Sequence, residues 1–439
     1  MKNEESLKQL VQETQSELQA HTSMSHHNPR RSFLRKSAAV AGSIGSLGLV
    51  GANAGAAPLP IPKSNQMLGR GIPDEEYGMP SKFESKVKRR RSDVLKNRQN
   101  FSDWSMTPLQ DQHGIVTPNG LIYERHHNGV PEINPDEHVF VIHGLVERPL
   151  KFTMSDLMRY PSVSKFHFME CSGNGLTDWL KPASKTVQQS HGLLSCAQWT
   201  GIPLAWLLDE AGRKKEATWL LAEGADGAAH IRSLPMKKAL DDTLLVFAQN
   251  GEMLRPENGY PLRLFVPGWE GNISIKWLRR IKLGTEPWNF RSETARYTDP
   301  MPNGKWRQFS FEMETKSVIT RPSGDMKIER GPLEIEGFAW SGTGTIKGVD
   351  VTMDGGRTWH TAQLEEPVMD KCLTRFRYRW NWQGEPAVIA SRAIDNHGYV
   401  QPTVAQLQEK RAITGFVQHH NGIMPWAISQ SGEVSNAIG

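Results

Sequence analysis

The sequence predicts an α+β fold of two domains, the second of which is an all-β sandwich. Between residues 121 and 310, short strands and short helices follow one another irregularly, which favours α+β over a doubly wound sheet. From residue 311 the pattern changes to regularly spaced strands in which apolar and polar residues alternate, separated by glycine turns. A chain of 439 residues is long enough for both domains and an N-terminal extension.

Composition excludes several classes of protein. The chain is 38% hydrophobic with a mean hydropathy of −0.52, and it lacks the run of about 18 apolar residues that spans a membrane. Its 52 basic and 47 acidic residues give a net charge of +5, which is too dispersed to indicate nucleic-acid binding. Its 3 cysteines cannot build a disulfide framework or a four-cysteine metal site. No Cys-x-x-Cys-His motif occurs, so we expect no haem in this chain.

The first 56 residues have the pattern of an export signal. Residues 29–36 read Pro-Arg-Arg-Ser-Phe-Leu-Arg-Lys, and a weakly apolar stretch rich in glycine and alanine follows, ending in A-x-A cleavage positions. This pattern resembles a twin-arginine signal, which carries folded proteins to the periplasm and is common for proteins that take up a cofactor first. The alternative is a chance arginine pair before a short buried helix.

Residues 57–120 are predicted to form an extended N-terminal arm. They are rich in proline, glycine and charge, with one short helix expected near residues 81–98. The run Lys-Val-Lys-Arg-Arg-Arg at 86–91 is interpreted as a solvated face, and a docking patch for an acidic partner is the alternative.

The α+β domain is predicted from individual segments. Apolar runs before turn residues indicate strands, and the apolar stripe of residues 203–211, closed by Gly212, indicates a helix. The predicted strands are 137–145, 165–170, 218–222, 244–249 and 262–266, and the predicted helices are 155–160 and 203–211.

Residues 311–439 are predicted to form an antiparallel sandwich of the immunoglobulin type. Strict alternation and glycine turns such as Asp354-Gly355-Gly356 are typical of such sandwiches. The predicted strands are 333–340, 347–353, 376–382 and 387–395.

Cys171 is the first candidate for chemistry. It follows a predicted strand directly, in Phe168-Met-Glu-Cys-Ser-Gly-Asn-Gly175. Free backbone N–H groups in such a turn lower a thiol pKa, and the thiolate suits a metal or nucleophilic catalysis. Taken alone, the motif is more typical of an inert buried cysteine. Cys196 and Cys372 are interpreted as buried structural thiols.

Other segments accompany Cys171 in a characteristic order. They are Tyr123-Glu-Arg-His-His127, Asn258-Gly-Tyr-Pro-Leu-Arg263, Pro267-Gly-Trp-Glu-Gly271 with Ser274-Ile-Lys-Trp277, and Ala295-Arg-Tyr297. Together these segments resemble the sulfite oxidase family of molybdenum-pterin oxidoreductases over residues 120–430. The resemblance implies a molybdopterin-binding catalytic domain at 121–310 and a dimerisation domain at 311–439.

The resemblance also implies a role for individual residues. Cys171 corresponds to the thiolate ligand of molybdenum, Arg125 to the arginine that faces the substrate oxyanion, and Tyr297 to the tyrosine beside the metal. The other positions carried over are cofactor contacts: His126 and His127, the acidic Asp226, Asn258 in place of a family histidine, Arg263, and the segment Ser274, Ile275 and Lys276.

Several positions depart from the family pattern. Gly175 and Leu176 stand where the family usually has two arginines after the cysteine, and Thr414 or a neighbour stands where another arginine is expected. A hydrogen bond to a charged group contributes about 1.5–3 kcal/mol, so losing two guanidinium groups weakens binding of a small dianion on the order of 100-fold. We therefore expect a less cationic and more open substrate pocket.

These departures resemble the sulfane dehydrogenase branch of the family. That likeness implies oxidation of sulfane sulfur, held as a persulfide on a carrier protein, with oxygen from water and electrons passed to a separate c-type cytochrome subunit. It also implies a homodimer contact through the sandwich, within a heterotetramer. The alternatives are a sulfite dehydrogenase, a sulfoxide reductase of the same family, and a non-catalytic scaffold that has lost its metal.

Overall fold

A computed structural model of the chain describes residues 62, 65, 77–91, 102–178, 184–227, 229–411 and 418–437. The described residues from Met79 onward belong to one compact unit. The predicted export signal, residues 1–56, and Thr414 lie outside the described residues. Within the described ranges, no helix has the length and apolar character needed to cross a lipid bilayer.

Strands dominate the described structure, and the helices are short. In chain order, the strands before residue 310 are β1 (Arg90–Arg91), β2 (Asp103–Met106), β3 (Glu124–His126), β4 (Val139–Gly144), β5 (Leu150–Thr153), β6 (Val163–Glu170), β7 (Leu194–Pro203), β8 (Trp219–Gly224), β9 (Ile231–Pro235), β10 (Leu244–Gln249), β11 (Glu252–Met253), β12 (Arg263–Phe265), β13 (Leu278–Gly284), β14 (Asp299–Pro300) and β15 (Trp306–Arg307). The later strands are β16 (Lys316–Arg321), β17 (Gly331–Trp340), β18 (Ile346–Thr352), β19 (His360–Thr361), β20 (Gln363–Glu365), β21 (Thr374–Trp382), β22 (Ala387–Asp395), β23 (Trp426–Ile428) and β24 (Val434–Asn436). The α-helices are α1 (Met154–Leu157), α2 (Val187–His191), α3 (Leu204–Glu210), α4 (Met236–Asp241), α5 (Arg291–Thr294) and α6 (Val404–Lys410).

Two sheets and the short helices between them build the first half of the molecule. One sheet has the order β5-β4-β13-β8-β9, with β4 and β13 parallel, and the other has the order β11-β10-β7-β6, with β12 paired to β10. Helix α3 buries Leu204, Leu207 and Leu208, the spacing of one helical face, so the predicted helix is confirmed. Strand β6 pairs with β7 over eight residues and ends directly before Cys171.

The predicted sandwich is confirmed. Its sheets have the orders β16-β17-β21-β20 and β19-β18-β22-β23-β24, and each of the four predicted strands forms. Strand β22 alternates between buried and partly exposed residues, which places one side of this strand in the core. Trp340, Trp382 and Trp426 are almost completely buried between the strands.

The N-terminal arm is described only in part, and its predicted helix stays a prediction. Where a helix was expected near residues 81–98, the structure has a single 3-10 turn at Lys82–Glu84 and strand β1, while residues 92–98 lie outside the described ranges. Strand β1 pairs with β2, and this pairing uses the backbone N–H and C=O groups that a helix would hydrogen bond internally. Arg89 is also not simply solvated, because its guanidinium contacts Glu124 at 3.3 Å and Glu257 at 3.4 Å.

One hydrophobic core passes from the first half into the sandwich. Phe168 on β6 and Leu194 on β7 belong to the same buried cluster as Val318 and Phe338 of the sandwich. Phe311, near the predicted boundary, stacks on Trp269 at a ring distance of 4.4 Å. The boundary at residues 310 and 311 stays a prediction, but apolar packing is continuous across it.

Candidate active site

A cavity lies where β3, the end of β6, β12 and the segment from Gly271 to Trp277 converge. Every residue that the sequence predicted for the site lines this cavity, although the role of each stays a prediction. These residues are Arg125, His126, His127, Cys171, Asp226, Asn258, Arg263, Ser274, Ile275, Lys276 and Tyr297.

Cys171 is held in the cavity wall by backbone hydrogen bonds. Its N–H donates to the carbonyl of Leu193 at 3.0 Å, and its carbonyl accepts from the N–H of Asn174 at 2.9 Å. Burial raises the pKa of its thiol, while the positive charge of Arg125 acts in the opposite direction. The thiol is free, and Cys196 lies beside Cys372 with 3.4 Å between the sulfur atoms.

A metal at Cys171 needs ligands from outside the protein. Within the described residues, no group of three or more His, Cys, Asp or Glu side chains is arranged to hold a metal ion. A single thiolate is too few ligands for a stable transition-metal site. The chemistry of this site therefore fits a metal that arrives within a cofactor carrying its own sulfur or oxygen donors.

Arg125, His127 and Tyr297 form a chain of hydrogen bonds along the cavity. Arg125 Nη2 lies 3.1 Å from His127 Nδ1, and His127 Nε2 lies 3.0 Å from the hydroxyl oxygen of Tyr297. A guanidinium group can only donate, so Nδ1 accepts and Nε2 carries the proton. Burial, reinforced by the charge of Arg125, lowers the pKa of His127 to about 3, which keeps the ring neutral.

Two residues that the motifs did not predict lie beside this chain, His230 in the cavity wall and Arg232 behind Tyr297. His230 lines the cavity with its ring 5.6 Å from that of His127, and its N–H donates to Asp226 Oδ1 at 2.8 Å. The guanidinium of Arg232 lies 4.9 Å from the centre of the Tyr297 ring. Their position just after Asp226 was the only available signal, because neither belongs to a motif that indicates chemistry.

The end of the cavity near Arg263 and Lys276 is cationic, and Lys276 Nζ donates to the Arg125 carbonyl at 3.0 Å. Arg263 is 3% exposed and donates to the carbonyls of Asn258 at 2.8 Å and Ser274 at 3.0 Å. Burial lowers the pKa of Arg263 to about 10 and that of Lys276 to about 7, and the charge of Arg263 adds to the effect on Lys276. Uncompensated buried cations indicate that an anion belongs here.

Unsatisfied polar atoms at the same end support this interpretation. Arg263 Nε and Asn258 Oδ1 are buried and have no hydrogen-bond partner. Buried polar groups are nearly always paired, so a ligand with both donors and an anionic group fits this end. A phosphorylated pterin has that chemistry.

The remaining predicted residues shape the walls. Ser274 Oγ accepts from the N–H of Val266 at 3.0 Å, which fixes the backbone beside the buried Ile275. His126 contacts Glu124 at 3.3 Å, and burial lowers the pKa of His126 to about 4.

Gly175 and Leu176, which stand where the family usually has two arginines, face away from the cavity. Gly175 has a φ of +85°, and a Cβ there would lie 3.1 Å from His420 Nδ1 and 3.3 Å from Lys316 Nζ. Leu176 packs against Leu407 of α6. Neither residue lines the cavity.

Comparisons with known proteins agree with this chemistry. The family described as "Oxidoreductase molybdopterin binding domain" matches residues 127–291, and "Mo-co oxidoreductase dimerisation domain" matches residues 307–422. The chain is 30% identical to sulfite oxidase of Gallus gallus, over 70% of this chain and 72% of that protein. It is also 30% identical to mitochondrial sulfite oxidase of Rattus norvegicus. That match covers 71% of this chain but only 62% of the length of the relative.

A solved structure is similar over most of the chain. The crystal structure of the sulfane dehydrogenase SoxCD from Paracoccus pantotrophus shares 43% sequence identity with a TM-score of 0.83, and the match covers 86% of this chain and 97% of that one. The cofactor implied by these matches is a molybdenum-pterin, which fits the single thiolate and the cationic end of the cavity. By its sequence, its fold and the residues of its cavity, the chain belongs to the sulfite oxidase family of molybdopterin oxidoreductases.

Proposed function

We propose that this chain is the molybdenum subunit of a sulfane dehydrogenase. Its substrate is a sulfane sulfur held as a persulfide on a cysteine of a carrier protein, and the product is at the sulfonate level with oxygen taken from water. Electrons leave to a separate c-type cytochrome subunit. The similarity to the SoxCD structure supports this choice among the activities of the family.

The observation that carries the proposal is the environment of Gly175. With a φ of +85°, a Cβ at Gly175 would meet His420 Nδ1 at 3.1 Å and Lys316 Nζ at 3.3 Å, so a side chain there would start towards these two residues and not into the cavity. Among the described residues that line the cavity, the cationic side chains are Arg125, Arg263 and Lys276, and the last two lie at the end that fits a phosphate. Arg125 supplies the guanidinium group beside Cys171. A pocket of this kind suits a persulfide better than a small free dianion.

The bound cofactor supplies oxygen-atom transfer coupled to two-electron redox chemistry. Cys171 holds it through the thiolate, and Arg263 and Lys276 hold its anionic end. Arg125 stabilises negative charge that develops on the oxygens of the sulfur product. His127 orients the hydroxyl group of Tyr297, whose pKa is raised to about 12 chiefly by burial, so that this group stays a neutral hydrogen-bond donor.

Location and assembly follow from the same proposal. Residues 29–36 direct export by the twin-arginine route, so the enzyme folds and takes up its cofactor before it reaches the periplasm. Two copies pair through the sandwich, since a dimerisation-domain family matches that part. With two cytochrome subunits the assembly is a heterotetramer.

The experiment compares two substrates on the purified, cofactor-loaded chain. Mo(V) electron paramagnetic resonance is recorded after addition of sulfite, and separately after addition of a carrier protein loaded with a persulfide. We expect a Mo(V) signal with the persulfide-loaded carrier and none with sulfite. A strong signal with micromolar sulfite would show that Arg125 suffices for the free dianion, and the chain would then be a sulfite dehydrogenase.

A further inference from the structure

A buried carboxylate lies directly beside Cys171 in the chain. Glu170, the last residue of β6, is 1% exposed, and both of its carboxylate oxygens are hydrogen bonded. Its Oε1 accepts from Lys316 Nζ at 3.1 Å and from Asn174 Nδ2 at 2.9 Å, and its Oε2 accepts from Trp340 Nε1 at 2.6 Å. The carboxylate therefore joins three parts of the chain.

Two of these partners come from the sandwich and lie opposite each other. Lys316 begins β16 and Trp340 ends β17, and the two residues are directly paired in the antiparallel register. Lys316 is 2% exposed, and its ammonium also lies 5.7 Å from the centre of the Trp340 ring. The sandwich thus presents one fixed charge and one fixed donor to Glu170.

The third partner leads into the loop that contains Cys171. Asn174 accepts from the N–H of Leu193 through its side-chain oxygen at 3.1 Å, and its own N–H donates to the Cys171 carbonyl at 2.9 Å. Lys316 Nζ also donates to the Asn174 carbonyl at 3.2 Å. Lys316 of the sandwich is therefore hydrogen bonded directly to both ends of the loop: to Glu170, which precedes Cys171, and to Asn174.

We propose that Glu170, Lys316 and Trp340 are positioning residues, through which the sandwich fixes loop 171–174 in the conformation that presents the Cys171 thiolate to the cofactor. The sandwich then acts on the catalytic centre within one chain, in addition to any role in pairing two chains. This inference rests on the molybdenum-pterin cofactor and on Cys171 as its ligand, and it is independent of the substrate.

Stability alone is a weak reason for such a network. Taking a carboxylate and an ammonium out of water is costly, and well-packed apolar residues of similar volume often stabilise a fold equally well or better. A fully hydrogen-bonded buried network does, however, specify one arrangement of the groups that it joins. The geometry of the loop is therefore the property that this network most directly controls.

The test uses the full chain prepared without cofactor, in which Cys171 lines an open cavity while Cys196 and Cys372 are at most 1% exposed. Because Cys171 is partly exposed in this cavity, the rate of its alkylation by iodoacetamide reports how firmly loop 171–174 holds the thiol in the cavity wall, and a looser loop gives a faster rate. Trp340→Phe removes the indole donor and keeps an aromatic ring. Trp426→Phe is the matched control, because Trp426 is also completely buried and its Nε1 donates to the Ile319 carbonyl at 3.1 Å, away from the loop.

We expect Trp340→Phe to be alkylated about tenfold faster than Trp426→Phe at a comparable loss of melting temperature, a factor that corresponds to about 1.4 kcal/mol. A ratio below about threefold would overturn the proposal, since the network would then contribute to overall stability only. If Trp340→Phe does not fold, Glu170→Gln takes its place, with each rate divided by the thiolate fraction found from its pH dependence, because the charge of Glu170 raises the pKa of the Cys171 thiol.

The cofactor-loaded enzyme gives a second readout that does not depend on turnover. If the network positions the thiolate, Glu170→Gln and Trp340→Phe broaden or shift the Mo(V) resonance after chemical reduction, and Trp426→Phe leaves it unchanged. Identical spectra for all three variants would contradict the proposal. Because a chemical reductant replaces the substrate, this result is separate from the outcome of the substrate test.

Discussion

The hydroxyl oxygen of Tyr297 accepts a hydrogen bond from His127 Nε2, with 3.0 Å between the two atoms. This direction follows from Arg125, which can only donate to the other ring nitrogen. The phenolic proton of Tyr297 is therefore left to point away from the imidazole. This orientation leaves the Tyr297 hydroxyl able to donate to a ligand in the cavity.

We predict that loss of this donor slows the reaction more than it weakens binding. Tyr297→Phe should lower kcat about 100-fold, in the range typical of a positioned proton donor. His127→Ala should lower it about tenfold, because the hydroxyl stays but is no longer oriented. Steady-state kinetics with the persulfide carrier would check both values. His143→Gln is the control, since His143 lies on β4 outside the cavity, and an equal loss there would contradict the prediction.

Restoring the family arginine after the cysteine is predicted to fail. In Gly175→Arg, the side chain would start against His420 and Lys316 in a backbone conformation with a φ of +85°. We expect a lower melting temperature and no gain in sulfite oxidation. Gly175→Ala separates the cost of the backbone conformation from that of the larger side chain. A Gly175→Arg variant with strong sulfite activity would show that the loop can rearrange toward the cavity.

Cofactor uptake is predicted to weaken as the pH rises from about 7 to 9. Burial lowers the pKa of Lys276 to about 7, so without cofactor this side chain loses its proton above that pH. An anionic cofactor favours the protonated form, and uptake above pH 7 must therefore bind a proton. The fraction of cofactor-free protein loaded with molybdopterin at each pH is the measurement. Lys276→Arg should take up the cofactor equally well across this pH range. If its uptake instead fell with pH as it does in the unchanged protein, Lys276 would be excluded as the cause.

Acid stability is predicted to depend on Glu270. Burial raises the pKa of this carboxyl, but the charge and hydrogen bond of His419, 2.9 Å away, outweigh it and lower the pKa to about 2. The folded pKa is below the unfolded value of about 4.3, so the stabilisation is complete above that pH and is lost as the pH falls toward 2.

The contribution of the ionised Glu270 to the free energy of unfolding is on the order of 3 kcal/mol. Urea unfolding between pH 6 and pH 3 should show a flatter stability curve for Glu270→Gln than for the unchanged protein. The exposed Glu312 offers a control, because Glu312→Gln should preserve the original slope. Equal slopes for the unchanged protein and Glu270→Gln would contradict the assigned pKa.

Much of the fold was predictable because its signals are local. Alternating residues marked the sandwich strands, and β10 and β22 have the predicted bounds. The helix predicted near residues 81–98 is tested only in part, because the described residues there hold a 3-10 turn at Lys82–Glu84 and strand β1, and residues 92–98 lie outside the described ranges. A run of basic residues has no apolar periodicity, and the pairing of β1 with β2 decided the structure there.

The site was predictable in its members but not in its connections. Short motifs around Cys171 and Arg263 resemble a family, and these motifs predicted residues that share one cavity. The contacts of Glu170 with Lys316 and Trp340 span 146 and 170 positions along the chain. No periodicity or motif encodes such a pairing, because it depends on how two separately formed sheets pack.

Phe168, Leu194, Val318 and Phe338 share one buried core, so we expect the two halves of the molecule to fold as a single unit. Cutting the chain near residue 310 would expose apolar surface on both fragments, so neither is expected to be soluble alone. Heating the intact chain should give one cooperative transition rather than two. A chimaera that takes its sandwich from a relative would therefore need the facing residues of β6 and β7 exchanged as well. The two parts of the chain that match separate family models are therefore expected to unfold together, as one cooperative unit.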